Sequence, residues 1–332
     1  MFPKQQRRAP SRPFVIARDG PAPPPELRGA TIAIGNFDGV HLGHRKLIAR
    51  AIALAGAAGG PSAVLTFEPH PRRFFAADRP MFRLTPEPVK HAILKKLGLD
   101  GVFVRRFDKT LADTTASAFV TDLLARELEA AGVVVGHDFH FGHGRKGTPA
   151  ILAELCQRAG LSCDIVPAVA FGGEPVSSSA VRAALERGDV RMANRLLGYR
   201  WFVEGEVRHG DKRGRDLGFP TANLSLGNDV NLREGIYAVR VVLPSGDIRD
   251  GVASFGRRPT FDNGAQLLET YIFDFAGDLY GRTIQVEFVD WIRGEERFPS
   301  AEALVARMRE DAETARRLLS AADEDGLSSM IG

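Results

Sequence analysis

Two histidines three positions apart, His41 and His44, sit in the stretch GNFDGVHLGH, residues 35–44. An apolar, β-branched run precedes them, Thr31-Ile32-Ala33-Ile34, with the character of a buried strand. Leu47, Ile48, Ala51 and Leu54 follow at helical spacing within Arg45 to Ala58. The stretch therefore reads as strand, glycine-punctuated turn and helix start. Residues three apart share a helix face, and Gly43 between them leaves the backbone open to a planar or charged ligand. The free N–H groups of a helix start attract phosphate. Imidazoles beside them can hydrogen-bond phosphate oxygens as charge develops in phosphoryl or nucleotidyl transfer. Alone, such a pair is as common on a surface as in a site. A zinc site would need a third protein ligand, and neither HExxH nor paired CxxC occurs.

Other stretches carry chemistry of the same kind. Val176-Ser177-Ser178-Ser179-Ala180-Val181-Arg182 opens a helix with hydroxyl and backbone donors and an arginine, able to grip the phosphates that leave as pyrophosphate. Read alone, the serines are an N-cap. Residues 210–223, GDKRGRDLGFPTAN, form a basic, glycine-rich loop whose N–H groups can wrap phosphate. Thr221 and Asn223 there offer neutral oxygens suited to Mg²⁺. By composition the same loop is equally a flexible surface segment. No Walker A sequence occurs, so phosphoryl transfer here would not be of the P-loop type. His70, between Pro69 and Pro71, lies at the carboxyl end of a strand, Ala63 to Phe67, where open α/β sheets place ligands. Gly142, Gly144 and Gly147 formally spell GxGxxG. The six residues Gly136–Phe141 separate them from the strand end, however, and a dinucleotide loop does not allow this.

The elements that must position these groups fall into two patterns. Up to about residue 197 strands alternate with helices: Val102–Val104, Val133–Val135 and Cys163–Val166 alternate with helical stretches at 85–97, 116–131 and 149–160. Phe14–Ile16 reads as an edge strand, and Thr85-Pro86 as N-cap and first helical residue. This order predicts a doubly wound parallel sheet with helices on both faces. From residue 198 short strands and turns take over: 201–207, 237–243, 249–254, 268–274 and 283–291. They predict a small antiparallel barrel, followed by a helix capped by Ser300. The expected division is a disordered basic tail over 1–13, an α/β domain over 14–197 and a barrel domain over 198–332.

The 332 residues are 44% hydrophobic and 26% charged, ordinary for a globular protein of about two domains. The formal charge of +3 suits a binder of phosphorylated small molecules and is too weak to argue for nucleic acid. No apolar run spans a membrane, and two cysteines, Cys156 and Cys163, make no disulfide framework. The expected location is the cytoplasm.

GNFDGVHLGH resembles the HxGH signature of nucleotidyltransferases, in particular the adenylyltransferase half of bacterial bifunctional riboflavin kinase/FAD synthetases. FEPHP at 67–71, GHDFHFGHGRKG at 136–147 and SSSAVR at 177–182 resemble further motifs of that half. GDKRGRDLGFPTAN, GIY at 235–237, GRRPTF at 256–261 and ETYIFDF from Glu269 resemble the riboflavin kinase half. The resemblance implies ATP-dependent phosphorylation of riboflavin to FMN in the barrel, then adenylylation of FMN to FAD in the α/β domain, with Mg²⁺ accompanying ATP. It implies His41, His44 and Arg182 as catalytic in the second step and Glu269 as general base in the first. It further implies nucleotide contacts from Gly35, Asn36, Phe37, Gly43, Asp138, Ser178, Ser179, Gly210, Gly214, Gly218, Thr221 and Asn223. Flavin contacts would come from His70 and Arg293, and metal ligation from Thr221 and Asn223. Ser179 stands where the family motif has threonine, retaining the hydroxyl. Two rival readings differ in class: another HxGH nucleotidyltransferase with an accessory barrel, and a non-enzymatic flavin- or RNA-binding module.

Overall fold

Four strand segments in the first half are apolar enough to be buried on both faces, and they assemble as a parallel sheet. The computed structural model describes residues 12–76, 81–210, 217–226, 230–257, 266–322, 326, 327, 329 and 330. The chain divides into two compact units, Met1–Val176 and Ser177–Gly332.

In the first unit the strands are β1 (Val15–Arg18), β2 (Thr31–Ile34), β3 (Ser62–Glu68), β4 (Gly101–Arg106), β5 (Gly132–Gly136) and β6 (Ser162–Val166). Their order is β1-β4-β3-β2-β5-β6, every neighbour parallel. From β2 the chain winds outward through β3 and β4, then returns to the other side of β2 with β5 and β6. The reversal puts a crevice at the carboxyl ends of β2 and β5, where such sheets bind ligands. The helices are α1 (Leu42–Ala58), the short α2 (Pro71–Phe75), α3 (Glu87–Lys96), α4 (Lys109–Ala112), α5 (Ala116–Ala118) and α6 (Pro149–Arg158). The helix expected over 116–131 continues α5 as a wide i→i+5 turn over Phe119–Glu127, closed by Leu128 N–H on Leu123 O at 2.9 Å. That segment sinks Phe119, Leu123 and Leu124 into a core with Ile32, Leu65, Phe103 and Val133. A hairpin of β7 (Ala170–Phe171) and β8 (Glu174–Pro175), not anticipated from sequence, ends the unit.

The second unit opens with α7 (Ser178–Glu186) and α8 (Val190–Leu197). The sequence reading sets these helices with the α/β domain; hydrogen bonds join each of them to barrel residues as well. Asn194 donates to Phe288 O at 2.9 Å and accepts from Trp201 N at 2.7 Å, and Arg233 N–H bonds Leu185 O at 3.1 Å. The compact units therefore divide at Val176/Ser177, ahead of the helices. The barrel strands are β9 (Phe202–Arg208), β10 (Thr221–Ser225), β11 (Gly235–Val242), β12 (Ile248–Arg257), β13 (Gln266–Ile272) and β14 (Thr283–Arg293). They close in the order β10-β13-β12-β11-β14-β9, antiparallel throughout. β10 is absent from the sequence reading, which takes its small polar residues for a loop. Register aligns Leu224 and Phe255 with Leu268, all fully buried, so one face of these strands fills the barrel interior. On the outer face Ala238, Phe273 and Val289 receive Ala315 and Leu319 of α9 (Ala301–Ala321), which Ser300 caps as expected.

Candidate active sites

The turn after β2 is shaped by two non-glycine residues in the left-handed region, Phe37 (φ 51°) and Val40 (φ 37°). Side chains from outside the turn hold it there. Gly39 N–H donates to Thr85 Oγ1 at 2.9 Å, and Asp38, 1% exposed, accepts Thr85 N–H at 3.1 Å. Thr85 is thus a brace for this turn, while Pro86 takes the N-cap position of α3 that the sequence reading gives to Thr85. The Asn36 carbonyl accepts from Thr66 Oγ1 at 3.2 Å and from Lys90 Nζ at 3.4 Å.

This frame delivers both imidazoles to the start of α1. His41 is its N-cap: Nδ1 accepts the His44 N–H at 3.4 Å. The rings stack with centroids 3.7 Å apart and planes 18° from parallel, and Phe37 lies 5.1 Å from the His44 ring. Burial, then the proximity of His41 and the Lys90 charge, hold the His44 pKa well below 6.5. The His44 imidazolium is therefore disfavoured in the folded chain. His44 Nδ1 is buried without a hydrogen-bond partner among the described residues. A Cβ on Gly43 would lie 3.1 Å from the His41 ring, so any larger residue there would require the imidazole to give way slightly.

Behind the turn lies a charged group that sequence reasoning missed. Lys90 is 1% exposed and pairs with Glu68 Oε1 at 2.8 Å; Arg83 grips the same carboxylate with two bonds of 2.7 and 2.6 Å. Burial alone would raise the Glu68 pKa, but the Arg83 hydrogen bonds and the Lys90 charge outweigh it and bring it down to about 2. Burial lowers the Lys90 pKa, partly offset by Glu68. The available signal was a lysine next to Val89 on the apolar face of an amphipathic helix.

The remaining expected residues of this half are scattered in role. His70, 6% exposed, caps α2 by accepting Arg72 N–H at 3.1 Å, directly after β3. Asp138 is exposed in the turn after β5, as are Arg145 and Lys146 beyond it. The GxGxxG glycines lie in a loop pinned by the Phe141–Gly147 bridge, so no dinucleotide loop forms. Ser177 is the N-cap of α7, accepting Ala180 N–H at 3.1 Å, with Ser178 and Arg182 half-buried and Ser179 exposed in its first turns. These residues fall in the second compact unit, the His pair in the first.

In the barrel, strand register makes the site. Thr221 faces Tyr271 and Asn223 faces Glu269 across β10 and β13, while Ser254 of β12 flanks Glu269 on its other side. Cross-strand partners share a face, and alternation with Ala222, Leu224, Leu268 and Thr270 puts these polar residues outside the barrel. Asn223 is 6% exposed, and its Oδ1 is buried with no hydrogen-bond partner among the described residues. A Cβ at Gly210 would come within 2.5 Å of Asn223 Nδ2, so glycine is required for that approach. Gly218 adopts φ 84° and delivers Phe219 edge-on to Tyr271 at 5.0 Å, feeding the chain into β10. Gly214 and the basic residues around it, and Arg258 to Phe261, lie outside the described residues. Arg293 is bound to Asp311 by Nε at 2.9 Å and Nη2 at 2.6 Å, and donates Nη1 to Gly294 O at 2.8 Å. Its guanidinium anchors α9 and stands 5.8 Å from the Phe298 ring.

Comparison with known proteins returns the same two halves. The FAD synthetase family matches residues 24–180 and the riboflavin kinase family residues 197–319. A bifunctional riboflavin kinase/FMN adenylyltransferase of Haemophilus influenzae is 40% identical over 290 residues, 87% of this chain and 94% of that one. Its counterpart in Escherichia coli K12 is 41% identical over 288 residues, covering 87% and 92%. The one in Bacillus subtilis is 36% identical over 301 residues, covering 89% and 94%. A crystal structure of a Streptococcus pneumoniae protein described as a macrolide-efflux protein matches with a TM-score of 0.82 at 30% identity, covering 91% of this chain and 99% of that one. Among the described residues here, no helix is long and apolar enough to cross a membrane.

Proposed function

We propose a residue-level division of labour for a chain that belongs to the bifunctional riboflavin kinase/FMN adenylyltransferase family. It phosphorylates riboflavin to FMN and adenylylates FMN to FAD. Kinase chemistry is assigned to the barrel and adenylyl transfer to the His-pair half, whose functional extent we set at 14–197, with 198–332 for the kinase. ATP is the donor for both steps, and the cytoplasm is the proposed location.

In the kinase step the Glu269 carboxylate accepts the proton of the riboflavin 5′-hydroxyl as its oxygen attacks the γ-phosphorus, and the bond to the ADP oxygen breaks. Glu269 is suited to this by sitting half-buried opposite Asn223. Asn223 Oδ1, buried and without a hydrogen-bond partner among the described residues, lies beside the Thr221 hydroxyl and fits Mg²⁺, which favours a few protein oxygens completed by phosphate and water. Among the described residues no cluster of three His, Cys, Asp or Glu offers a competing metal site. When bound, the ion neutralises charge on the β- and γ-phosphates; Thr221 and Asn223 would hold it.

In the second step an FMN phosphate oxygen attacks the α-phosphorus of ATP and pyrophosphate leaves. The attacking group is already anionic, so no general base is needed. His41 and His44 contribute ring hydrogen bonds to the phosphates, and Arg182 contributes positive charge. Gly35, Asn36 and Phe37 line the approach, Ser178 and Ser179 meet the departing phosphates, and Asp138 contacts the nucleotide. Gly210 and Gly218 flank the phosphate loop of the kinase, and Gly214 is a further proposed nucleotide contact. His70 forms a wall of the flavin site of the first unit, and Arg293 is proposed as a flavin contact of the barrel.

One observation carries the assignment: the stacked His pair and the Thr221–Asn223–Glu269 group lie in separate compact units, each with its own frame. The test is a flavin time course with pure protein, riboflavin, ATP and Mg²⁺. FMN rising first and FAD following supports it; FAD without free or bound FMN at any time contradicts it.

A further inference from the structure

We propose that Lys90 is a positioning residue for adenylyl transfer, fixing the Asn36 carbonyl and through it the turn that presents His41 and His44. The inference rests on the assignment of that pair to FAD formation. A lysine 1% exposed is expensive to bury, and an ion pair with Glu68 alone would be a poor reason to keep one. Its three donors are accounted for by Glu68 Oε1 at 2.8 Å, Thr66 Oγ1 at 3.1 Å and the Asn36 carbonyl at 3.4 Å. Thr66 Oγ1 in turn donates to the same carbonyl at 3.2 Å, closing a ring of hydrogen bonds on one backbone oxygen.

That oxygen sits immediately before Phe37, a non-glycine residue at φ 51°. Such a conformation persists only where its surroundings over-determine it. The Phe37 ring rests on His44, and His44 stacks on His41, so displacement at Asn36 is passed directly to the imidazoles. Lys90 also acts by charge. The groups that bear on His44 are His41 of its own turn and Lys90 of α3, with Glu68 of β3 and Arg83 flanking the ammonium. Both His41 and Lys90 disfavour the imidazolium of His44. Removing the ammonium therefore raises the pH at which His44 protonates.

The experiment compares the full chain with Lys90→Met and Thr66→Val, assaying FAD formation from FMN and FMN formation from riboflavin on the same preparations. For Lys90→Met we expect kcat for FAD formation to fall by about tenfold or more, with KM for FMN within about threefold. The acid limb of its kcat/KM profile should move to higher pH, while FMN formation stays within about twofold of the parent. Thr66→Val should lower the same kcat by about threefold with the limb in place. FAD turnover by Lys90→Met within about twofold of the parent, or an acid limb that does not move, overturns the proposal. Should Lys90→Met fail to fold, Thr66→Val decides alone: an unchanged kcat overturns it. His41→Ala run in parallel separates the two levels, since FAD formation that survives that change would refute the site assignment itself.

Discussion

At the His pair the polar groups that matter are sunk behind the reacting surface: Lys90 and Asp38 are each 1% exposed, and Thr85, Thr66 and Glu68 tie them to one turn. On the barrel, Thr221 and Glu269 stay half-buried on the outside of a sheet, and what aligns them is antiparallel register with Tyr271 and Asn223. The first site is pre-organised by side chains from several elements; the second by backbone hydrogen bonds. A change behind the first should therefore reach its chemistry. A change on the second should stay where it is made, because a single side chain leaves the ladder intact.

The largest separation should come from the reacting groups themselves. His41→Ala removes both a ring donor and the cap of α1, and should lower FAD formation by about 10²-fold or more while FMN formation persists. Glu269→Ala should lower FMN formation by about 10²- to 10⁴-fold and spare FAD formation from supplied FMN. Chromatographic separation of the flavins reads both. Asn223→Ala should act next most strongly, raising the Mg²⁺ and ATP needed for half-maximal kinase rate by about tenfold with adenylyl transfer unchanged.

Structural ties sharpen the same contrast. The Arg293–Asp311 pair has side chains 11% and 6% exposed, so Asp311→Ala should cost about 3–5 kcal/mol in the second unit, visible as a lowered melting transition. The smallest effect concerns acid. Glu68 has a folded pKa of about 2 against an ordinary 4.5, so its stabilisation is present above pH 4.5 and is lost as pH falls toward 2. His44, with its pKa lowered, adds a loss that begins as pH drops below 6.5. Acid titration followed by circular dichroism should show the first unit yielding over this range, less steeply in Glu68→Gln.

Much of this was legible in the residues. The β-branched runs before His41 and at Val133–Val135 announced a parallel sheet, because strands buried on both faces need continuous apolar sequence. GNFDGVHLGH marked the pair, and Ser177 and Ser300 each cap the helix that follows them as read from sequence, while the capping role of His41 emerges only in the structure. What was not legible depends on partners distant in sequence. Lys90 reads as one more charge on an amphipathic helix until Glu68 and Asn36 are brought to it. β10 reads as a loop because Thr221–Ser225 lacks strand composition, and only pairing with β9 and β13 makes it a strand. The neutral state of His44 follows from burial, which no local pattern announces.

The claim that two independent sites share one chain is tested most directly by mixing two defective proteins. Equal amounts of His41→Ala and Glu269→Ala are incubated with riboflavin, ATP and Mg²⁺, and FAD is measured over time. FAD should accumulate in the mixture, with the His41 variant supplying FMN to the Glu269 variant, and in neither protein alone. A mixture that forms no FAD, with either folded variant lacking both half-reactions, would contradict it.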